Sequence, residues 1–171
     1  MKALAAFLLS FSLFAHAQHS RVPQLSTTAL DGHPVAFPED LHKLNVIIVG
    51  FTRSSAEHTT AWQKSTRREL QPAGVDFYDI TILESLPKFM RGMVSGLIKN
   101  KVPTVLKPHF VMLFEGEAEW KRAVDFDPQA EDAAYVLITD RDGRILWSTH
   151  EAFSNTSFAA LKRQLHRVGM K

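Results

Sequence analysis

Ser54, Ser55, Glu57 and His58 crowd polar chemistry into one short stretch of the chain. A serine four residues before a histidine puts a hydroxyl and an imidazole on one helical turn, where the imidazole can act as base toward the oxygen. Acyl-transfer chemistry also needs an orienting acid and donors for an oxyanion, and the local sequence supplies neither. The same residues have a structural reading. Ser54 followed three positions later by Glu57 is a capping box, the pattern that satisfies the free backbone donors at a helix start. It predicts a helix from about Ser55 and is the stronger account of Ser54. Arg53, at the same junction, is placed to meet an anion together with the helix N-terminus, although a solvated guanidinium is the simpler account.

One missing residue type excludes more chemistry than any motif adds. With no cysteine in 171 residues, disulfides, thiolate metal sites, iron–sulfur clusters and thiol–disulfide exchange are all ruled out, because each needs an ionisable or exchangeable sulfur. Neither G-x-x-x-x-G-K nor G-x-G-x-x-G occurs, so nucleotide binding has no support. There are eight histidines, none at H-x-x-x-H or H-x-H spacing, and no metal or other cofactor is expected.

The elements that position these side chains are legible from period and punctuation. Residues 22–41 are turn-rich, with Pro23, Asp31-Gly32, Pro34 and Pro38, and carry short extended pieces such as 34–37. Asn45 to Phe51 is a β-branched run, too short for a helix and apolar on both faces, which suits a central strand. A helix follows until Pro72 and Gly74 stop it. Val75 to Leu83 alternates as a second strand, and a second helix runs from about Pro87 to Asn100. His109 to Phe114 reads as a strand and Glu117 to Val124 as a short helix. Tyr135 to Asp140 and Arg144 to Ser148 form a hairpin through Asp142-Gly143. Asn155 is the expected cap of a last helix, with Phe158, Leu161, Leu165 and Val168 at helical spacing.

Composition and charge place the chain. Met1-Lys2, the apolar or small run Ala3 to Phe14 and the small-x-small Ala15-His16-Ala17 read as an export signal over residues 1–17. One domain at 18–171, periplasmic or secreted, is then expected. The apolar run is too short for the roughly 20 residues that a span needs. Of the 20 basic residues, Lys2 leaves with the signal, so the remainder is nearly neutral against 18 acidic ones and is not a nucleic-acid binder by charge.

Charge is nevertheless uneven. Between Pro87 and Phe114 there is no Asp or Glu, while Lys88, Arg91, Lys99, Lys101 and Lys107 are all basic. Within this stretch Phe89, Met90, Met93, Val94, Leu97 and Ile98 form a wide apolar stripe whose first reading is a core-facing helix. Gly92 and Gly96 weaken that helix and give a reason for the alternative, a contact surface that another backbone can approach.

A central strand ending in G-F-T-x-S, an immediate helix, a further β-α unit and the "YVLITDRDGRI" hairpin before a terminal helix resemble the thioredoxin-like superfamily, in its peroxiredoxin and copper-chaperone branch. The lead-in "VPQLSTTALDGHPVAFPEDL" is similar to the N-terminal hairpin of those domains. The resemblance implies an α/β fold, a three-layer α/β/α sandwich around a central mixed sheet. It sets Ser54 and His58 where that branch carries its two cysteines, and Asp132 where it carries a histidine. No proline stands near Ala134 or Tyr135, where thioredoxins keep a cis-proline. "LPKFMRGMVSGLIKNKVP", Phe51 to Trp62 and "YVLITDRDGRILW" are also similar to the mitochondrial ATP synthase assembly chaperones, which implies a non-catalytic role toward a membrane-complex subunit.

The expectation is therefore an exported, cysteine-less thioredoxin-like protein that binds or helps assemble a protein partner, with contact to a membrane surface from its basic segment. Thr52, Arg53, Ser54, Ser55, His58, Asp132 and Tyr135, extended by Lys88, Arg91 and Met93, are the expected docking residues. The alternative from another class is a hydrolytic or metal-dependent enzyme built on Ser54, His58 and Asp132.

Overall fold

The computed structural model describes residues 20–170; the export signal expected over 1–17 lies outside them. Seven strands and four α-helices follow the expected order. They are β1 (Leu25–Thr28), β2 (Pro34–Phe37), β3 (Leu44–Gly50), α1 (Ser55–Glu69), β4 (Asp76–Ile82), α2 (Lys88–Lys101), β5 (Phe110–Leu113), α3 (Glu117–Ala123), β6 (Tyr135–Asp140), β7 (Ile145–Thr149) and α4 (Asn155–Arg167).

Five strands form one mixed sheet in the order β5-β4-β3-β6-β7, with β3, β4 and β5 mutually parallel, β6 antiparallel to β3, and β7 antiparallel to β6. β3 is the middle strand and all of its residues are buried, as a run apolar on both faces requires. Alternation then sorts the side chains. Ile47, Val49, Tyr78, Ile80, Val111 and Leu137 face a core closed by the β1-β2 hairpin and by Trp120 of α3. Val46, Ile48, Phe77, Val136 and Ile138 face a second core closed by Trp62 of α1 and by Phe158, Leu161 and Leu165 of α4. The result is the expected three-layer sandwich.

The segment entering the sheet ties both of its edges. Ile145 at the start of β7 donates its backbone N–H to Ser20 at 2.8 Å, and Leu30 donates to Phe110 of β5 at 2.9 Å. Between these points Val22 and Ala29 lie in the first core, and beyond them so do Val35 and Phe37.

Two caps differ from expectation. α4 is capped by Ser154, whose hydroxyl accepts from the Ser157 N–H at 3.0 Å while the Ser157 hydroxyl accepts from the Ser154 N–H at 2.8 Å. A serine in the third helical position does what a glutamate usually does, so Asn155 is not needed. At α1 the Ser54 side chain makes no capping bond and its backbone is already helical.

The α2 stripe also divides. No residue of α2 is buried. Met90, Val94 and Ile98 are half-buried, whereas Phe89 is 87% exposed, Met93 59% and Leu97 54%. The apolar face is thus too wide for one side to cover, and half of it points outward. No helix among the described residues is long and apolar enough to cross a membrane.

Candidate functional site

Parallel strands deliver their C-terminal ends to one edge of the molecule, where the loop after β3 meets the loop before β6. In open α/β sheets this is the end at which ligands gather. The loop after β3 is short because α1 starts at once, and it starts on Thr52 rather than Ser54. The Thr52 hydroxyl accepts the Ser55 N–H at 3.1 Å, and the Ser55 hydroxyl accepts the Thr52 N–H at 3.4 Å and donates to the Thr52 carbonyl at 2.7 Å. The reciprocal pair is a capping box two residues upstream of the expected one. Sequence alone favoured Ser54 because glutamate is the commoner second member.

Gly50 makes this junction possible. A Cβ there would stand 2.5 Å from Ser55 Oγ and 3.0 Å from Thr59 Cγ2, so only glycine lets α1 pack this closely onto the end of β3. The Thr52 hydroxyl still has its proton to give, and donates it to Asp132 Oδ1 at 2.5 Å. That bond joins the helix start to the loop before β6, the two segments in which the resemblance sets a thiol and a histidine.

Behind the loop lies an aromatic support that the sequence did not announce. Asp125 adopts the left-handed conformation, φ 53°, and Phe126 donates its N–H back to the Lys121 carbonyl at 2.9 Å. This is the helix-ending turn usually made by glycine, and its aspartate disguises it in sequence. The turn presents Phe126 to Phe51 (centroids 5.0 Å, edge on) and to Tyr135 (5.6 Å, stacked), with Lys121 Nζ 4.5 Å from the centre of the Phe126 ring.

Tyr135 is 1% exposed, so it is not presented for docking. Its hydroxyl accepts the Asp127 N–H at 3.0 Å and faces the Asp127 and Ala130 carbonyls at 3.2 and 3.3 Å, and burial raises its phenol pKa. It holds the 126–130 turn in place.

Over this support opens a cleft of about 350 Å³ lined by His58, His150, Glu131, Asp132 and the small residues Ala130, Ala133 and Ala134. His150 was not among the expected residues; nothing in its sequence surroundings marks it. Arg53, Ser54 and His58 are solvent-accessible, and Ser55 is buried by its capping role. Ser54 and His58 form no hydrogen bond with one another or with Asp132 among the described residues, and the carboxylate is engaged by Thr52 instead. The relay a hydrolase would need is not assembled. Among the described residues no three His, Asp or Glu side chains converge on a point that a metal could occupy.

The basic segment contributes less uniformly than expected. Arg91 turns inward: its Nε donates to the Leu86 carbonyl at 3.1 Å, its Nη2 to the Glu84 carbonyl at 3.2 Å, and its guanidinium lies 5.0 Å from the Phe114 ring centre. It fastens the start of α2. Lys88 and Met93 are exposed.

No protein-family model matches the chain, and no curated protein does. Solved structures do. BsSco, a member of the Sco family of cytochrome c oxidase assembly proteins, superposes with a TM-score of 0.58 at 12% identity over 90% of this chain and 96% of that one. A thio-disulfide isomerase from Thermus thermophilus gives 0.55 at 18% identity over 90% and 97%. The thioredoxin domain of a thiol-disulfide oxidoreductase from Bacteroides vulgatus gives 0.57 at 11% over 85% and 95%. The fold is thioredoxin-like, and here it carries no cysteine, whereas the latter two proteins are named for thiol–disulfide chemistry.

Proposed function

We propose that this is an exported thioredoxin-like protein with no catalytic role, which uses the strand-to-helix end of its sheet to bind a protein partner in the cell envelope and assist its assembly. The observation that carries the reading is the Thr52–Ser55–Asp132 junction. Ser54, the position a nucleophile would hold, is exposed and bonded to no base among the described residues, while the hydroxyls on either side of it, Thr52 and Ser55, are committed to the helix cap and to Asp132. The rigid wall this creates, with the accessible cleft at His58, His150 and Asp132 beside it, suits recognition of a polypeptide better than turnover.

Two likenesses support the assembly side of the proposal. The segments from Phe51 to Trp62, Leu86 to Pro103 and Tyr135 to Trp147 are similar to mitochondrial ATP synthase assembly chaperones, and BsSco belongs to a family of assembly proteins. The client is taken to be a subunit of a membrane complex.

The test is a photo-crosslinking residue in place of His58, introduced in cells that export the protein. One specific envelope protein should be captured, and capture should fall when Asp132→Arg fills the cleft. Reproducible hydrolysis of an ester or peptide that is lost in Ser54→Ala and His58→Ala would overturn the reading.

A further inference from the structure

We propose that the outward face of α2 is a membrane-contact surface that seats on a layer of anionic lipid headgroups. The inference does not depend on what the cleft at Asp132 binds. Among the described residues, the large apolar side chains that are exposed are Phe89, Met93, Leu97 and Val105, all within one stretch of the chain. An exposed patch of this kind marks a surface that is covered by something else in use. Phe89, Met93 and Leu97 are four apart and descend one stripe of a helix about 21 Å long.

The character of the covering partner follows from shape and charge. The face is convex. Neither described cleft includes a residue of α2, and a Cβ on Gly92 or Gly96 would meet nothing within 4 Å. A protruding phenylalanine beside two bare glycines fits a deformable medium, into which such side chains sink by roughly 5–10 Å. Helical spacing puts Lys88 and Lys99, three turns apart, on one flank of the stripe and Lys101 one turn beyond Leu97 at its end. None of these lysines has an ion-pair partner among the described residues, and no acidic residue occurs between Pro87 and Phe114. Cations along one flank and at the end of an apolar stripe match headgroup phosphates around the inserted side chains. A second copy of the chain is disfavoured by the same charges, since pairing α2 with α2 sets lysine against lysine.

The absence of cysteine permits a clean test. Asn100→Cys, exposed on the outward face and in line with Phe89 and Met93, carries an environment-sensitive fluorophore as the single thiol adduct in the full chain. Asp142→Cys, in the β6-β7 turn at the opposite edge of the sheet, carries the same label as reference. With phosphatidylcholine vesicles containing about one-third phosphatidylglycerol, the Asn100 label should shift to the blue and brighten while the Asp142 label does not. Phosphatidylcholine alone should give a much smaller change. Lys88→Glu with Lys99→Glu should raise the lipid concentration needed by roughly tenfold or more, and Phe89→Ser with Met93→Ser should abolish the shift. The N-terminal apolar run is common to every variant, so it cannot produce these differences. No shift at Asn100 on anionic vesicles, an equal response at both labels, or unchanged affinity of the charge-reversed protein would overturn the proposal. So would a response to an acidic amphipathic peptide but not to vesicles, which would assign the face to a protein.

Discussion

Thr52 and Asp132, 80 residues apart in the chain, share a 2.5 Å hydrogen bond from hydroxyl to carboxylate. The bond fixes the relative position of the α1 start and the loop before β6. Those segments line the cleft through His58 and residues 128–134, and the bond joins them beside the packing of Phe51 on Phe126 and Tyr135.

Thr52→Val should therefore destabilise the protein by about 1–2 kcal/mol through loss of the cap. A double-mutant cycle with Asp132→Ala, read by urea denaturation, should return a coupling of about 1 kcal/mol. A coupling near zero would mean that the two walls are held by something else.

Gly50→Ala should cost about 1–3 kcal/mol, because the new methyl meets Ser55 Oγ at 2.5 Å in a site with no room to relax. Combining it with Ser55→Ala should recover part of that loss in thermal denaturation. The rescue separates a steric cause from a change in backbone propensity.

Much of this arrangement could be read before the coordinates. β3, the β6-β7 hairpin and the helix limits follow from β-branched runs, an Asp-Gly turn and prolines, all local signals. The site was legible as a location but not as a mechanism. Ser54-x-x-Glu57 and Thr52-x-x-Ser55 both match a capping pattern, and only the backbone at Ser54, already helical, decides between them. α2 defeated the periodicity argument for another reason. Phe89-Met93-Leu97 and Met90-Val94-Ile98 are equally regular stripes, and period alone does not say which one meets the sheet. The helix-ending turn at Asp125 was hidden because its left-handed position lacks the glycine that would advertise it.

Arg91 and Lys88 should behave differently, although sequence groups them. Arg91→Glu should lower stability by about 1–2 kcal/mol by removing its bonds to the Glu84 and Leu86 carbonyls. Lys88→Glu should leave it within about 0.5 kcal/mol, as should Met93→Asp at a position 59% exposed. Denaturant midpoints of the three variants check this directly.

Asp79 on β4 is 1% exposed, its Oδ1 has no hydrogen-bond partner, and burial pushes its pKa up to about 7. The sign follows from proton counting. Between the ordinary carboxylate range and pH 7 the folded protein holds a proton that the unfolded chain has lost, so this residue makes stability fall as pH rises through that window. Below it the contribution vanishes. Asp79→Asn should flatten the decline and stabilise the protein at pH 8 by about 1–3 kcal/mol. Parallel melting curves from pH 4 to about pH 8, with an undiminished slope in the variant, would assign the effect to other groups.

The N-terminal tie bears on the open edges of the sheet. A sheet with open edges is a template for edge-to-edge association, and here one peptide segment guards opposite edges, β7 through Ser20 and β5 through Leu30. Trimming that strap would bare both templates together, giving a unit able to stack in two directions. A cut just beyond Ser20 would release the β7 edge alone, because the Leu30 bond to β5 stays in place.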